Sequence, residues 1–217
     1  NVSEKTRKRV QEAMDQLGFR VSYAGRSLRD GRYHSVGFCV NDITEFGNLS
    51  MLDGITAAAR DRGYAVTLME ISKDQNFSLE EATRAMSALP VDGVIFGMSR
   101  LAPDFEEFTP LAGLPSVIVS MYAHPRCTTV DSDQYRCALT LMEHLFSHGH
   151  REIRYVAGPG FSVDEVFRQA GWRDALQERG LAVVEPTRGD WSANSGYEAA
   201  CQMLEHDHDF TAVFAAN

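Results

Sequence analysis

From Val36 onward, short apolar runs alternate with longer amphipathic segments, and this alternation constrains the fold more than any other feature. The apolar runs predict strands at 36–40, 65–70, 93–97, 116–120, 153–157, 181–185 and 211–216. The segments between them predict helices at 49–62, 78–88, 104–112, 133–147, 163–179 and 193–205. Such alternation indicates an α/β fold in which helices cover both faces of parallel sheets. Continuously apolar strands are consistent with burial on both sides.

The composition is that of a globular protein, because 44% of the 217 residues are apolar. This is enough for one large domain or two small ones. No stretch approaches the roughly 18 apolar residues of a membrane span, and the charged first ten residues lack the apolar run of a secretory signal. We therefore expect a cytoplasmic protein without a membrane partner. Four widely spaced cysteines, without a C-x-x-C pair, predict reduced thiols.

The net charge of −9 hides an asymmetry. Residues 1–34 carry eight basic and four acidic side chains, a net charge of +4, which leaves −13 for the rest. An acidic body repels a polyanion, so a polyanionic partner would meet the N-terminal segment. A solvated basic helix with no partner explains the same charges.

Two helical segments are predicted within this basic region. Ser3 can cap a helix over 3–17 whose apolar residues recur at helical spacing, and Gly18 is placed to end it. Residues 22–29 form a second, short stretch with helical tendency, and 30–34 are typical of a turn or linker.

Several polar or small residues directly follow predicted strands. Parallel sheets bind ligands at the carboxyl ends of their strands, so a ligand is expected beside these residues. They are Asn41, Asp42, Ser120, Gly158 and Asn217. Position alone does not identify the ligand.

Motifs of catalysis and cofactor binding are absent. The sequence has neither glycine-rich phosphate loop nor a G-x-S-x-G nucleophile elbow, which predicts no enzyme and no cofactor. His144 and His148 stand four residues apart, as two metal ligands on a helix would. His148 falls in the last turn before Gly149, however, and no further ligand follows at suitable spacing. We favour a solvated helix end over a metal site.

Trp191 has two interpretations. It lies in the segment RGDWSANSGY, between a predicted strand and a helix that Ser192 could cap. An aromatic ring at a cleft can stack on the apolar face of a sugar while polar neighbours bind its hydroxyls. Alternatively, Trp191 anchors the end of the helix by ordinary packing.

A set of segments, in order along the chain, resembles the lactose-repressor/galactose-repressor (LacI/GalR) family of bacterial transcription regulators. The matching segments are VSEKTRKRVQEAMDQLGF (2–19), RSL (26–28), RGYAV (62–66), VDGVI (91–95), SHGHREIRYVAGP (147–159), RQAGW (168–172), GDWSANSGY (189–197) and TAVFAAN (211–217). Each segment is a weak signal, but their ordered sum is specific.

The resemblance implies a two-lobed core, like that of periplasmic binding proteins, with parallel sheets flanked by helices. Before it we expect the last helix of a helix-turn-helix headpiece and a hinge helix. The implied divisions are 1–20 (headpiece), 21–34 (hinge helix and linker), 35–132 (N-terminal lobe) and 133–217 (C-terminal lobe). We expect this chain to be an incomplete repressor that lacks family segments at both ends.

The resemblance also implies an effector pocket between the lobes. In the family, the positions of Arg168 and Asn217 form hydrogen bonds to the effector and that of Trp191 stacks on it. The expected effector-binding residues are Asn41, Glu45, Phe46, Asn48, Ser120, Phe161, Ser162, Asp164, Arg168, Trp191 and Asn217. Glu45 to Asn48 replace the usual N-P-F-[FY] run, so the first-lobe contacts differ from those of many relatives.

For the hinge, the resemblance implies contacts with the DNA minor groove. Leu28 matches the leucine that wedges between base pairs, a known way to kink DNA. Packing of Leu28 against the core or a dimer partner is the alternative. The expected DNA-binding residues are Ser22, Tyr23, Gly25, Arg26 and Leu28. Gly25 departs from the family alanine and weakens so short a helix by about 1 kcal/mol.

Three functions follow from these observations. The first is a homodimeric repressor that binds operator DNA under the control of a mono- or disaccharide. The second is a solute-binding protein of the same fold, which the basic N-terminal helix and the absence of a signal peptide disfavour. The third is an α/β enzyme, for which no catalytic residues are found.

Overall fold

The structure is a computed structural model that describes residues 2–19, 22–71, 78–206 and 208–217, with only the backbone of residues 23 and 24. The predicted DNA contact of the Tyr23 side chain lies outside the described residues. In chain order the elements are α1 Glu4–Gln16, α2 Tyr23–Asp30, β1 Ser35–Val40, α3 Phe46–Asp61, β2 Ala65–Glu70, α4 Leu79–Ser87, β3 Val94–Gly97, β4 Ser116–Val119, β5 Thr128–Val130, α5 Gln134–Ser147, β6 Ile153–Ala157, α6 Val163–Gln177, β7 Thr187–Arg188, α7 Ala193–His206 and β8 Ala212–Ala215.

The first sheet is parallel throughout, with strand order β2-β1-β3-β4-β5. Its core joins apolar residues of the strands to α4 and to the segment that precedes β4. Helix α4 approaches β1 closely, because a Cβ on Gly37 would lie 2.8 Å from the Met86 sulfur. Helix α3 packs against β1 and β2. We refer to the unit built on this sheet as the first lobe.

The second sheet is also parallel, with order β7-β6-β8. Helices α5 and α6 cover its core, in which the fully buried Trp172 ring stacks on Tyr155 with centroids 5.1 Å apart. The two helices meet at Gly171, where a Cβ would lie 2.7 Å from the Tyr135 carbonyl oxygen. We refer to the unit built on this sheet as the second lobe. These two helix-flanked parallel sheets confirm the predicted α/β fold class.

The N-terminal helices are mostly exposed. No side chain of α1 is buried, and Ser3 caps it by accepting a hydrogen bond from the Thr6 amide at 3.3 Å. Ser22 caps α2 by accepting one from the Gly25 amide, also at 3.3 Å. The linker after α2 is attached to the first lobe, because the Asp92 carboxylate accepts hydrogen bonds from the Tyr33 and His34 amides, both at 2.7 Å. No described helix has the length and apolarity to span a membrane.

The predicted helix at 104–112 is wrong. This segment forms turns and irregular structure, in which Phe105 and Phe108 are buried in the core of the first lobe. Pro110 cannot donate the amide hydrogen bond that a helix needs. The Asp104 carboxylate instead accepts hydrogen bonds from the Leu79 and Glu80 amides at 2.9 and 3.0 Å, and so caps α4.

The strand predictions also need two corrections. Residues 181–185 are not a strand, and β6 pairs instead with the two-residue strand β7 at Thr187–Arg188. An apolar run predicts burial between two layers, but Val183 and Val184 are about one third exposed. The sequence prediction also missed β5, because Thr128–Val130 is too short and polar to form an apolar run.

Candidate functional site

A cleft of about 420 Å³ lies between the lobes and is lined by residues that follow β3, β4, β5 and β8. Parallel strands end at the same edge of each sheet, so these segments converge there. Nine of the eleven predicted effector-binding residues line the cleft: Glu45, Phe46, Asn48, Ser120, Ser162, Asp164, Arg168, Trp191 and Asn217.

Arg168 lies within a set of polar groups at the floor of the cleft. Its Nε donates a hydrogen bond to Gln134 Oδ-like amide oxygen Oε1 at 2.8 Å, and its Nη1 donates one to the Ala216 carbonyl oxygen at 2.8 Å. The Asp164 carboxylate lies 3.6 Å from Nη2 on the same helix face. These contacts hold the guanidinium in one orientation without covering it, since Arg168 still lines the cleft.

Trp191 lies beside Arg168, whose guanidinium carbon is 5.9 Å from the indole ring. The ring covers Gly158, where a Cβ would lie 2.0 Å from the indole Cη2. Trp191 has φ of 72°, in the left-handed region that is unusual for a large side chain. The neighbouring loop holds this conformation, because Ser192 donates its amide to Asp190 at 2.9 Å. Hydrogen bonds from Ser192 and Ser195 lower the pKa of Asp190 to about 2.

Two carboxylates face each other across the cleft. Burial raises the pKa of Asp164, while the positive charge of Arg168 opposes this effect. Burial also raises the pKa of Glu45, and the carboxylates of Asp42 and Asp164 raise it further. A hydrogen bond with Ser99 acts in the opposite direction. Because Glu45 belongs to the first lobe and Asp164 to the second, closure of the cleft brings like charges together.

Three of the predicted residues also hold the backbone around the cleft. Asn48 donates hydrogen bonds to the Asp42 carbonyl oxygen at 2.6 Å and to Glu45 at 3.1 Å. Ser162 caps α6 by accepting a hydrogen bond from an amide of its first turn, and Ser120 accepts one from the Tyr122 amide at 3.2 Å. All three are buried. Their positions therefore have a structural explanation as well as a possible contact with ligand.

Asn41 and Phe161 are the two predicted effector-binding residues that do not line the cleft. Asn41 follows β1, as predicted, but its position does not reach the lining. Phe161 is 46% exposed and lies under Arg100 of the first lobe, whose guanidinium carbon is 3.7 Å from the ring centroid. The ring is thus placed at the seam between the lobes.

Sequence reasoning missed several cleft residues. Met98 and Ser99 follow β3 and could have been found by applying the strand-end rule to that strand. Asp131 and Ser132 follow β5, which was not predicted. The other residues missed are Gly47, Ser50, Met51, Val119, Met121 and Gln134. The three methionines add a flexible apolar surface opposite the polar floor.

The predicted DNA-binding residues lie on α2. Leu28 is 88% exposed, and Arg26 is also exposed. A Cβ on Gly25 would meet only Ser22, at 3.7 Å or more. In the second lobe, His144 and His148 have ring centroids 4.4 Å apart. No group of three metal-ligating side chains is found among the described residues.

A two-lobed core of parallel sheets with a polar and aromatic cleft defines a ligand-binding protein of the periplasmic-binding-protein class. Residues 33–217 match the family described as periplasmic binding proteins and the sugar binding domain of the LacI family, and the chain belongs to this family.

Individual relatives agree with this assignment. Catabolite control protein A of Priestia megaterium is 28% identical over 99% of this chain and 65% of its own length. A structure titled as the transcriptional regulator CelR in complex with cellobiose is 25% identical, with a TM-score of 0.68 over 99% of this chain and 66% of its own. The lac repressor dimer bound to operator and the anti-inducer ONPF has the same fold, with 24% identity and a TM-score of 0.80 over 100% and 66% of the two chains. The chain spans less than two thirds of the length of the curated relatives that it matches.

Proposed function

We propose that the chain is the effector-binding core, with hinge, of a cytoplasmic DNA-binding transcriptional repressor that responds to a mono- or disaccharide. The observation that carries this proposal is the pairing of Arg168 with Trp191 on the floor of the interlobe cleft. Similarity to catabolite control protein A and to the cellobiose-bound regulator supports it. The proposed divisions are 1–20 (headpiece), 21–34 (hinge and linker), 35–132 (N-terminal lobe) and 133–217 (C-terminal lobe).

Sugar binding uses the polar and apolar groups of the cleft together. The indole of Trp191 presents its face to the apolar face of a sugar ring. Arg168, Asp164 and Asn217 bind hydroxyl groups from the same lobe, and the first lobe closes over the bound sugar. Gln134 and the Ala216 carbonyl hold Arg168 in place before ligand arrives, which reduces the entropic cost of binding.

Control of DNA binding requires that sugar prefers one arrangement of the lobes. A ligand that binds both arrangements equally shifts neither. The hinge helix α2 moves with the first lobe, because Asp92 holds the linker that follows the helix. In a homodimer, a change in lobe closure therefore changes the spacing between two hinge helices. This proposal assigns neither a catalytic step nor a cofactor to the chain.

Operator binding is assigned to the exposed face of α2. Leu28 is available to wedge into the minor groove because 88% of its surface is exposed. Basic side chains of residues 1–34 neutralise phosphates, so operator affinity should fall steeply with salt.

The first experiment identifies the effector. Mono- and disaccharides are screened by thermal shift on the protein as its gene encodes it. A sugar at 100 times its dissociation constant adds about 2.7 kcal/mol to the free energy of unfolding. Arg168→Ala should weaken that sugar at least tenfold, since loss of a charged hydrogen bond costs about 1.5–3 kcal/mol. Failure of every saccharide to stabilise the parent protein would contradict a sugar effector.

The second experiment separates sugar binding from DNA binding. Leu28→Ala should weaken binding to a pseudopalindromic operator and leave sugar affinity unchanged. Arg168→Ala should do the reverse and respond poorly to sugar on the operator. Fluorescence anisotropy with labelled duplex measures both. Sugar binding without any operator binding would instead support a solute-binding protein of the same fold.

A further inference from the structure

A basic pocket of about 320 Å³ lies where the hinge helix α2 meets the first lobe, separate from the interlobe cleft. We call it the hinge pocket. It is formed by the end of α2, the linker and the turn that follows α3. Its lining residues are Arg26, Ser27, Tyr33, His34, Arg62 and Gly63.

Positive charge in the hinge pocket is not neutralised by nearby carboxylates. Within the described part of the chain, neither Arg26 nor Arg62 forms a salt bridge. The Asp30 carboxylate is held by Arg29, at 2.8 Å. The Asp92 carboxylate is occupied by two linker amides. Two guanidinium groups lining one small pocket favour an anion, and arginine matches the geometry of phosphate oxygens well.

The walls of the hinge pocket are held by contacts to the first lobe. Arg62 Nη1 donates a hydrogen bond to the Ala58 carbonyl oxygen at 3.1 Å, at the end of α3. His34, which has φ of 51°, packs its ring against Tyr64 with centroids 5.3 Å apart. The pocket is thus formed before any ligand binds, which lowers the entropic cost of binding.

The hinge pocket also lies beside the helix face assigned to DNA. Ser27 is buried toward the lobe, whereas its neighbour Leu28 is 88% exposed. Arg26, which precedes them, lines the pocket. An anion in the pocket would therefore lie at the edge of α2, next to the surface that carries Leu28.

We propose that the hinge pocket binds one phosphate of the DNA backbone, so that Arg62 of the first lobe and Arg26 of the hinge helix contact the same strand. This inference rests on the proposed function and adds the core lobe to the DNA-binding surface. A phosphate held by both arginines pins α2 against the lobe. Lobe movement on sugar binding then acts directly on a DNA contact, in addition to the spacing of the hinge helices.

The test measures operator affinity against salt concentration for the protein as its gene encodes it. Each phosphate contact contributes about 0.9 to the slope of log affinity against log salt. Arg62→Gln should therefore reduce the slope by about 0.9 per protomer and weaken binding to operator and unrelated duplex alike. Arg62→Lys should retain most of the slope. Arg60→Gln is the matched control, because Arg60 is an exposed arginine two residues away that does not line the pocket.

The outcomes separate this inference from the proposed function. Parent protein that binds no operator would overturn both. Normal operator binding with an unchanged slope in Arg62→Gln, or an equal loss in Arg60→Gln, would overturn the hinge pocket alone. Inorganic phosphate at constant ionic strength is a second probe. If it stabilises the parent but not Arg62→Gln, and the DNA slope is unchanged, the pocket binds a free anion and the DNA assignment is wrong. Thermal denaturation of each variant verifies that it is folded.

Discussion

The Trp191 ring can lie on the cleft floor only because residue 158 is glycine. A Cβ at this position would approach the indole to 2.0 Å, far inside van der Waals contact, whereas a Cβ on Gly160 would come no nearer than 3.7 Å to Arg188. The two glycines belong to the same loop. They therefore form a matched pair in which one substitution displaces the tryptophan and the other does not.

We expect Gly158→Ala to weaken sugar binding by about two- to tenfold, because displacement of the ring loses a stacking interaction of about 0.5–1.5 kcal/mol. Gly160→Ala should bind like the parent. Isothermal titration calorimetry with the sugar identified by the screen measures both. Equal affinities for Gly158→Ala and the parent would mean that Trp191 does not stack on the ligand.

Glu45 makes a pH-dependent contribution to stability. Its pKa in the folded chain is raised above the ordinary value of 4.5, mainly by burial. The folded state therefore binds more protons than the unfolded state just above that pH, and the free energy of unfolding decreases as pH rises through the folded pKa. Asp190, whose pKa is lowered to about 2, contributes with the opposite sign at more acidic pH.

Glu45→Gln should remove this contribution, so the variant should lose less stability than the parent between about pH 4.5 and 7. Urea unfolding across this range, in the absence of sugar, provides the measurement. Asp190→Asn is the control of opposite sign, since it should lose stability at neutral pH relative to the parent. A parallel pH profile for Glu45→Gln and the parent would contradict a raised pKa at Glu45.

At the scale of elements, the hinge helix α2 is the least supported helix that carries a proposed function. It has eight residues with a glycine at its third position. Short isolated helices are marginal, and glycine costs about 1 kcal/mol relative to alanine. A Cβ on Gly25 would find ordinary contacts at 3.7 and 3.8 Å with Ser22, so alanine fits without rearrangement.

Gly25→Ala should therefore preform the hinge helix and tighten operator binding by up to about fivefold per hinge helix, as 1 kcal/mol of helix propensity allows. The control is Gly54→Ala in α3, where a Cβ also meets nothing within 4 Å. It should raise thermal stability without changing DNA affinity. Weaker operator binding by Gly25→Ala in anisotropy would show that the glycine is needed for close approach of the backbone to DNA.

At the scale of the whole molecule, a few contacts join the two lobes at the rim of the cleft. The Val163 amide donates a hydrogen bond to the Ser99 carbonyl oxygen at 3.0 Å. Arg100 lies over the Phe161 ring, 3.7 Å from its centroid. These contacts stabilise the arrangement in which the lobes meet, and so they bias the equilibrium on which ligand control depends.

Arg100→Ala should weaken sugar binding by about two- to fivefold, because an exposed cation–π contact contributes about 0.5–1 kcal/mol to lobe closure. Calorimetry measures the affinity, and small-angle scattering should show a more open molecule. Arg84→Ala, which removes only an exposed ion pair with Glu80 on α4, is the control. Unchanged or tighter sugar binding in Arg100→Ala would contradict the role of this contact.

Errors in the sequence-based predictions fall where distant residues decide the outcome. The segment 104–112 has helical composition, yet its Asp104 caps a helix that begins 25 residues earlier. The apolar run 181–185 has the composition of a strand, but pairing with β6 occurs two residues beyond it. Phe161 matches a pocket position in the family pattern, but in this chain Arg100 of the other lobe covers its ring.

The sequence by itself determined the α/β class, most helix boundaries and the family, because periodicity, caps and motif order are local properties of the chain. Ser3, Ser22 and Ser162 cap helices that could be predicted from their own neighbours. Tertiary structure alone decided which side chains share the cleft, why the pKa of Glu45 is raised and how Asp92 holds the hinge linker across 58 positions. Desolvation and contacts between distant residues arise only when the chain folds, so no local pattern encodes them individually.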